Sequence, residues 1–212
     1  MVVAVGLHPK HHPRDQREED EWVRALKELS WLARVKALGE VGLDHSEPRG
    51  RWPGQMDRLE RGLRLVRKRH ALVLHCRGMS GDSGTDAYML LLHIVRNEVS
   101  ADQRVYLHCF SGDEYVLSQW SAAFPNFYLG FTRMVRSCTG AQTRALKAVE
   151  DDRIVLETDT PYFEGSEDSP LPHRHYNGAH LQITPKKASG ADSISYRGNQ
   201  FVTGSRAKSD PN

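Results

Sequence analysis

Four apolar segments of this chain each end in, or deliver, a side chain that can bind a metal ion, and this pattern restricts the fold more than any other feature. The segments are Lys36–Asp44, Leu72–Arg77, Val105–Gly112 and Ile154–Phe163, and they carry Glu40, His75, His108 and Asp159. Each begins as a run of Val, Leu, Ile or Tyr with the length of a buried β-strand. A buried carboxylate is costly unless a cation neutralises it, so Glu40, between Gly39 and Gly42, is a candidate metal ligand. The alternatives are a glutamate paired with an arginine, and four unconnected polar strand ends.

Segments with helical periodicity separate these runs. Helices are predicted at residues 15–35, 55–69, 113–124 and 140–149, with a further one that Asp82 or Ser83 caps and that continues to Val95. Strands are predicted at residues 2–7, 36–43, 71–75, 104–108, 127–131 and 153–157. Strands that alternate with helices at a spacing of roughly 30 residues indicate βαβ units and a parallel sheet. The candidate ligands fall at the carboxyl ends of the strands, where parallel α/β folds place their sites.

Length and composition restrict the class of protein. The 212 residues suffice for one sizeable domain but fall short of the roughly 250 of an eight-fold barrel. A net charge of +2 excludes a broad basic surface for nucleic acid. No apolar run reaches the roughly 18 residues of a membrane span. The three cysteines are odd in number and two lie in predicted strands, which argues for reduced thiols, and the absence of a CxxC pattern argues against a structural zinc site. We expect a soluble intracellular protein, cytoplasmic or nuclear, with no membrane partner.

Six motifs occur in a fixed order along the chain: Gly6–Pro9, Gly39–Asp44, Leu74–Arg77, Leu107–Gly112, Leu129–Phe131 and Glu157–Tyr162. In this order they resemble the TatD family of metal-dependent deoxyribonucleases. The resemblance implies an amidohydrolase-type TIM barrel, two divalent ions (Mg, Mn or Zn) and 3′-to-5′ exonuclease or related activity on single-stranded DNA or 3′ ends. It also implies that Glu40 bridges the ions, that His75 and His108 complete one of them, and that Asp159 belongs to the other. Glu40 and Asp159 would then be the catalytic residues.

Other residues near these motifs are candidates for contact with the substrate. His8 would lie at the mouth of the barrel, and Arg77 could bind a substrate phosphate or form an ion pair with Asp44 or Glu157. Phe110 could stack on a base or ribose, although core packing is the alternative for a phenylalanine here.

Three further residues border the proposed ligands. Glu157 precedes Asp159 by two residues on one strand and could orient a histidine ligand. Cys76 and Cys109 each follow a histidine, and we expect both to point away from the site into the core.

The chain departs from the family pattern at both ends. It starts one strand too late to include the His-x-His pair of the first strand, and the closing strand and helix are replaced by a polar segment. We therefore expect about six of eight βα units in a barrel domain of residues 1–163, and a loosely structured tail of residues 164–212. One metal position should be retained and activity should be low or absent, unless His173 and His175 in the tail replace the missing pair.

Two other functions stay open at this point. One is a catalytically inactive remnant that binds nucleic acid or a protein partner. The other is a different amidohydrolase-type enzyme, although those bridged by a carboxylated lysine need a lysine where this chain has Glu40 or His75. The metal, the choice between DNA and RNA, exo- or endonuclease action and the oligomeric state are not determined by the sequence.

Overall fold

A computed structural model describes residues 2–159 in full and the backbone of three short strands at residues 180–182, 184–185 and 195–197. Apart from these strands, the tail predicted at residues 164–212 lies outside the described residues, as do His173 and His175. No helix in the described part of the chain combines the length and apolar character needed to cross a membrane.

Six parallel strands form one sheet in sequence order, each hydrogen-bonded to the strand that follows it. They are β1 (Val3–Val5), β2 (Val35–Asp44), β3 (Ala71–Arg77), β4 (Val105–His108), β5 (Phe127–Phe131) and β6 (Ile154–Leu156). The helices between them are α1 (Gln16–Ser30), α2 (Trp52–Leu63), α3 (Thr85–Glu98), α4 (Glu114–Ala123) and α5 (Gly140–Ala148). Of the later strands β7 (His180–Gln182), β8 (Thr184–Pro185) and β9 (Ser195–Arg197), β8 pairs antiparallel with β6, and β7 with β9. Each of the parallel strands β2 to β6 lies on the same side of the strand before it. This is the strand order of a TIM barrel and not of a doubly wound sheet, so the predicted partial barrel is confirmed.

The two faces of the sheet are packed differently. Leu72 and Leu74 of β3 belong to the larger core, which the sheet forms with Leu59 of α2, Tyr88 of α3 and other helix residues. The alternate residues Ala71 and Val73 belong to a smaller cluster of mostly small side chains. By the period of two along a strand, His75 shares the face of Ala71 and Val73. The smaller cluster is thus the barrel interior, and His75 extends it toward the carboxyl ends of the strands.

Several helix boundaries differ from the predicted ones: α2 begins at Trp52 and not at residue 55, and α3 continues to Glu98 and not only to Val95. α1 ends at Ser30 and not at residue 35, because Val35 is the buried first residue of β2. α2 ends at Leu63, since the chain from Leu65 to Val66 turns to enter β3 while both side chains still pack on the core. The third helix is capped by neither Asp82 nor Ser83: its N-cap is Gly84, in a left-handed conformation, and the Asp82 carboxylate accepts the Gly84 amide instead.

His70, just before β3, makes the stability of the fold depend on pH. Its ring is fully buried, and a hydrogen bond with the Ser30 backbone only partly offsets the cost of burying the charged form. Burial, together with the positive charge of Arg69, lowers the pKa of His70. A histidine with a lowered pKa binds fewer protons when folded than when unfolded, so its contribution is complete above the unfolded pKa of about 6.5 and is lost as the pH falls.

We expect the free energy of unfolding to fall more steeply with acidification in the wild type than in His70→Gln. The difference should grow as the pH falls below about 6.5, at no more than about 1.4 kcal/mol per pH unit. Urea denaturation of both chains at several pH values measures it, and because the other buried histidines are common to both chains, their contributions cancel. Parallel pH profiles for the two chains would contradict the assignment to His70.

Candidate metal centre

Neighbouring strands bring the predicted ligands to the carboxyl end of the barrel. His75 of β3 and His108 of β4 are register partners, so they lie side by side. Gly42 of β2 is the partner of His75, which places Glu40 and Asp44 on either side of that position along β2. His8 follows β1 by three residues, and Asp159 follows β6 by three residues. The site therefore draws on five of the six parallel strands.

Two glycines allow the close approach of backbone segments at this site. A Cβ atom on Gly42 would lie 1.9 Å from the His75 carbonyl oxygen, so a larger residue would force β2 and β3 apart. A Cβ atom on Gly6 would lie 2.4 Å from the carbonyl carbon of Gly39. The end of β1 can therefore pass directly beside β2, which brings His8 to Glu40.

The Glu40 carboxylate lies at the centre of the site, with a different group on each oxygen. Its Oε2 is 3.3 Å from His8 Nε2 and 3.8 Å from His75 Nδ1. Its Oε1 is 3.4 Å from His108 Nε2, and that nitrogen is 3.3 Å from Asp159 Oδ1. The structure thus brings all four predicted ligands together and adds His8. His75 and His108 lie nearest to different oxygens of Glu40, whereas the resemblance implies that they complete the same ion.

Each of the two strand histidines is anchored through its other nitrogen. His75 Nε2 is 2.9 Å from Asp44 Oδ2, and His108 Nδ1 is 2.7 Å from Glu157 Oε2. A carboxylate behind a histidine fixes the ring and its tautomer and makes the opposite nitrogen a better ligand. The contact predicted for Glu157 is therefore present, and the opposite nitrogen of each ring is directed at Glu40.

Both carboxylate oxygens of Glu157 accept hydrogen bonds from neighbouring residues. It accepts hydrogen bonds from the Tyr106 hydroxyl and from the Cys109 backbone amide, the latter at 2.6 Å, in addition to the His108 contact. Although His108, Cys109 and Glu157 lie close enough together to bind an ion, these bonds already occupy both oxygens of Glu157. These contacts hold His108 and Cys109 against Glu157.

The expectation for Cys109 was wrong, whereas that for Cys76, which is buried in the core, is confirmed. The Cys109 thiol donates to Asp159 Oδ2 at 3.5 Å. The reason is that β4 ends at His108, and Cys109 adopts a left-handed conformation with φ of 48°, which breaks the alternation of a strand. Burial raises the pKa of the Cys109 thiol to about 12, so it acts as a neutral donor to Asp159.

Buried negative charge dominates the electrostatics of the site. Glu40, Asp44 and Glu157 are all buried carboxylates. Burial opposes the ionisation of Asp44, yet the hydrogen bond and charge of His75 hold its pKa well below the usual range. Burial likewise opposes the protonation of His108, yet the charge of Glu40 and the hydrogen bond to Asp159 raise its pKa well above the usual value.

His8 contributes no positive charge, because burial and the neighbouring His75 lower its pKa to about 2. A neutral imidazole is the form that binds metals. Clustered buried carboxylates beside imidazoles need a cation, and oxygen and nitrogen donors of this kind suit Mg, Mn or Zn. The residues present therefore fit a divalent metal ion at Glu40.

The structure describes the surroundings of two predicted substrate contacts. Phe110 is buried, with its ring centroid 5.4 Å from that of Tyr88 and 6.1 Å from that of Phe131, as core packing would place it, and its stacking on a base stays a prediction. Arg77 is exposed at the end of β3, and within residues 2–159 its side chain forms no ion pair with Asp44 or Glu157. Binding of a phosphate by Arg77 stays a prediction.

Sequence reasoning missed the roles of Asp44 and Tyr106. Both could have been found from strand periodicity: Asp44 shares a face of β2 with Glu40, and Tyr106 shares a face of β4 with His108. Asp44 also accepts the backbone amide and the hydroxyl of Ser46 and pairs with Lys10 at 3.6 Å. These contacts hold its carboxylate in position behind His75.

Comparison with known proteins agrees with the geometry. The chain is 35% identical over 163 residues to the human 3'-5' RNA nuclease TATDN2, covering 76% of this chain and 20% of that protein. It is 32% identical to the 3'-5' ssDNA/RNA exonuclease TatD of Cronobacter sakazakii, covering 78% and 61%. It is 28% identical to an uncharacterized metal-dependent hydrolase, YcfH, of Escherichia coli K12, covering 82% and 59%. The chain thus spans between about a fifth and three fifths of these relatives' lengths.

A solved structure and a family profile extend this comparison. An uncharacterized amidohydrolase from Saccharomyces cerevisiae superposes with a TM-score of 0.54 at 18% identity, over 72% of this chain and 48% of that one, and so shares its fold. The sequence profile of the TatD related DNase family matches residues 1–187, which include every strand and side chain of the site described above. The chain therefore belongs to the TatD related DNase family.

Proposed function

We propose that this chain is a divalent-metal-dependent phosphodiesterase acting on nucleic-acid ends, with Glu40, His75, His108 and Asp159 as metal ligands. The observation that carries the proposal is the Glu40 carboxylate, whose two oxygens face two separate groups of donors. His8 adds a neutral nitrogen on the Oε2 side. A bound divalent ion would supply Lewis acidity toward the phosphoryl oxygen and the attacking water.

The chain's own residues have distinct roles in this reaction. Asp159 lies partly exposed beside His108 and can orient a water molecule or accept its proton. Cys109 fixes the Asp159 carboxylate by donating to Oδ2, which leaves Oδ1 toward His108. Asp44 and Glu157 keep the imidazoles in place from behind. Arg77, exposed at the end of the strand that carries His75, would bind a phosphate of the substrate through its guanidinium group.

The substrate class follows from the family and from the names of the relatives. The human relative is named a 3'-5' RNA nuclease and the Cronobacter relative a 3'-5' ssDNA/RNA exonuclease. We therefore propose single strands of DNA or RNA, degraded from the 3′ end, as the substrates.

The test is cleavage of single-stranded DNA and RNA of one sequence, labelled at the 5′ end, by the purified chain with Mg or Mn. We expect a ladder of products shortened from the 3′ end, which EDTA abolishes and added metal restores. Asp159→Asn should keep the fold and lower the rate by more than about 100-fold, because loss of a residue that only supports a ligand already costs roughly 10-fold to 100-fold.

Asp152→Asn is the matched control, since Asp152 is exposed just before β6 and outside the site. Its rate should equal that of the wild type. Metal binding without cleavage of either strand would contradict the proposal and favour an inactive remnant. Cleavage that Asp159→Asn leaves unchanged would place the reaction elsewhere.

A further inference from the structure

The loop that follows β2 is folded against the start of α2 beside the metal centre. It begins directly after Asp44, the carboxylate that holds His75, and so lies at the same end of the barrel. The His45 ring stacks on the Trp52 ring with centroids 3.8 Å apart and planes inclined by 13°. Trp52 also donates its indole N–H to the Glu47 carbonyl oxygen at 2.9 Å. Trp52 is therefore held in one orientation from two directions.

Arg49 of this loop is positioned by neutral partners. Its guanidinium carbon lies 5.5 Å from the centroid of the Trp52 ring, and its Nη2 lies 3.9 Å from the Met79 sulfur. An aromatic ring and a thioether orient an arginine without cancelling its charge. Among the described residues no carboxylate lies within ion-pair distance of Arg49. The carboxylates of Asp82 and Asp86 lie close enough to the neighbouring His45 ring to favour its protonated form.

Several other exposed or partly exposed cations are paired with a carboxylate. Arg51, in the same loop, lies 3.9 Å from Glu47, and Lys10 lies 3.6 Å from Asp44. Farther away, Arg61 lies 2.6 Å from Asp20 and Lys68 lies 2.9 Å from Asp102. These charges are partly or fully balanced by a carboxylate. Arg49 keeps its full charge at the mouth of the barrel.

Arg49 and Arg77 lie on adjoining loops. The Arg77 carbonyl oxygen accepts the His45 amide at 2.8 Å, and Met79, which contacts Arg49, follows Arg77 by two residues. Both arginines are exposed, and neither has an ion-pair partner in the described part of the chain. The two arginines have no carboxylate partners and lie on the rim of a site that is rich in carboxylates. They could therefore bind a polyanion at the rim.

We propose that Arg49, held over Trp52, forms with Arg77 a second contact for the nucleic-acid substrate. The two arginines bind phosphates of the nucleic acid that lie away from the phosphate being cleaved. This inference rests on the proposed function and names the part of the chain that holds the uncleaved portion of the strand. Phosphate is favoured because the planar guanidinium matches its oxygens and because successive phosphates of a strand can reach both arginines. Trp52 acts as a positioning residue, since both its indole nitrogen and its ring are engaged within the protein.

The test is binding of a fluorescein-labelled single strand in EDTA, read by anisotropy over a range of salt concentrations, so that it does not depend on turnover. Arg49→Gln should weaken binding by about threefold to fivefold at low salt, the scale of an exposed ion pair. It should also reduce the slope of log affinity against log salt by about one. Arg49→Lys should restore the slope, because the charge is kept. Trp52→Leu should weaken binding with the charge intact, while an unchanged melting temperature shows that the fold is kept.

The matched control is Arg96→Gln. Arg96 is also exposed and has no ion pair among residues 2–159, but it lies in the last turn of α3 and so at the opposite end of the barrel. Its affinity and salt slope should equal those of the wild type. Equal losses in Arg49→Gln and Arg96→Gln would overturn the inference and leave the proposed function standing.

Two further results separate the inference from the proposed function. If no strand binds at all, both the substrate class and the second contact are wrong. If a polyglutamate peptide binds better than the strand and depends on Arg49, the loop recognises an acidic protein partner and not the substrate.

Discussion

Glu40→Gln is expected to lower metal-activated cleavage at least about 100-fold and to weaken metal binding at both positions. Replacing a residue that only supports a metal ligand costs roughly 10-fold to 100-fold, so loss of the central carboxylate should cost more. The amide keeps the size of the side chain, but it removes the negative charge that faces His8 and His75 on one side and His108 on the other. Calorimetric titration with Mn and the end-labelled cleavage assay measure the two effects.

Glu28→Gln is the matched control for this variant. Glu28 is exposed in α1, away from the carboxyl ends of the strands, and its replacement should change neither metal binding nor rate. Unaltered cleavage by Glu40→Gln would show that the donors on its two sides do not form a shared site. An unaltered melting temperature of the metal-free chain would exclude unfolding as the cause of the loss.

Gly42→Ala is expected to lower the free energy of unfolding by about 3 kcal/mol or more. Gly42 has φ of 155°, where side chains are rarely found, and a Cβ atom there would lie 1.9 Å from the His75 carbonyl oxygen and 3.0 Å from its amide nitrogen. Because these are backbone atoms of the paired strand, no rotation of a side chain can relieve the overlap. Relief would need β2 to move away from β3, which also separates Glu40 from the two strand histidines.

Gly50→Ala provides the comparison for this variant, since a Cβ atom on Gly50 would have nothing within 4 Å. Urea denaturation should give a midpoint close to that of the wild type for Gly50→Ala and a much lower one for Gly42→Ala. If Gly42→Ala is recovered only from inclusion bodies while Gly50→Ala is soluble, the conclusion is the same. Matching midpoints for the two variants would show that the strands can separate at little cost.

The ends of the strands can be predicted from the sequence more accurately than the loops between them. β5 was predicted with both its boundaries, and Glu40, His75, His108 and Asp159 were placed together because apolar runs mark where parallel strands end. α1 and α2 were extended too far, since helical spacing of apolar residues continues into segments that the chain needs for its return to the sheet.

The loop residues of the site could not be placed in this way. His8 reaches Glu40 only because Gly6 lets two backbones meet, and such a close approach leaves no periodic signal. Cys109 turns toward Asp159 because the strand stops one residue earlier. Arg49 contacts Met79 of a separate loop, and no local pattern in the sequence encodes that contact.

His8 and Asp159 follow the first and the last of the six parallel strands, yet both lie within one contact of Glu40 or its neighbour His108. An ion held among them would connect the two margins of the sheet to its interior. Its binding free energy would then add to the free energy of unfolding, because the unfolded chain brings these donors together far less often. Metal supply would govern how long the protein survives in the cell as well as how fast it works, and a chelator would first expose β1 and β6 to proteases.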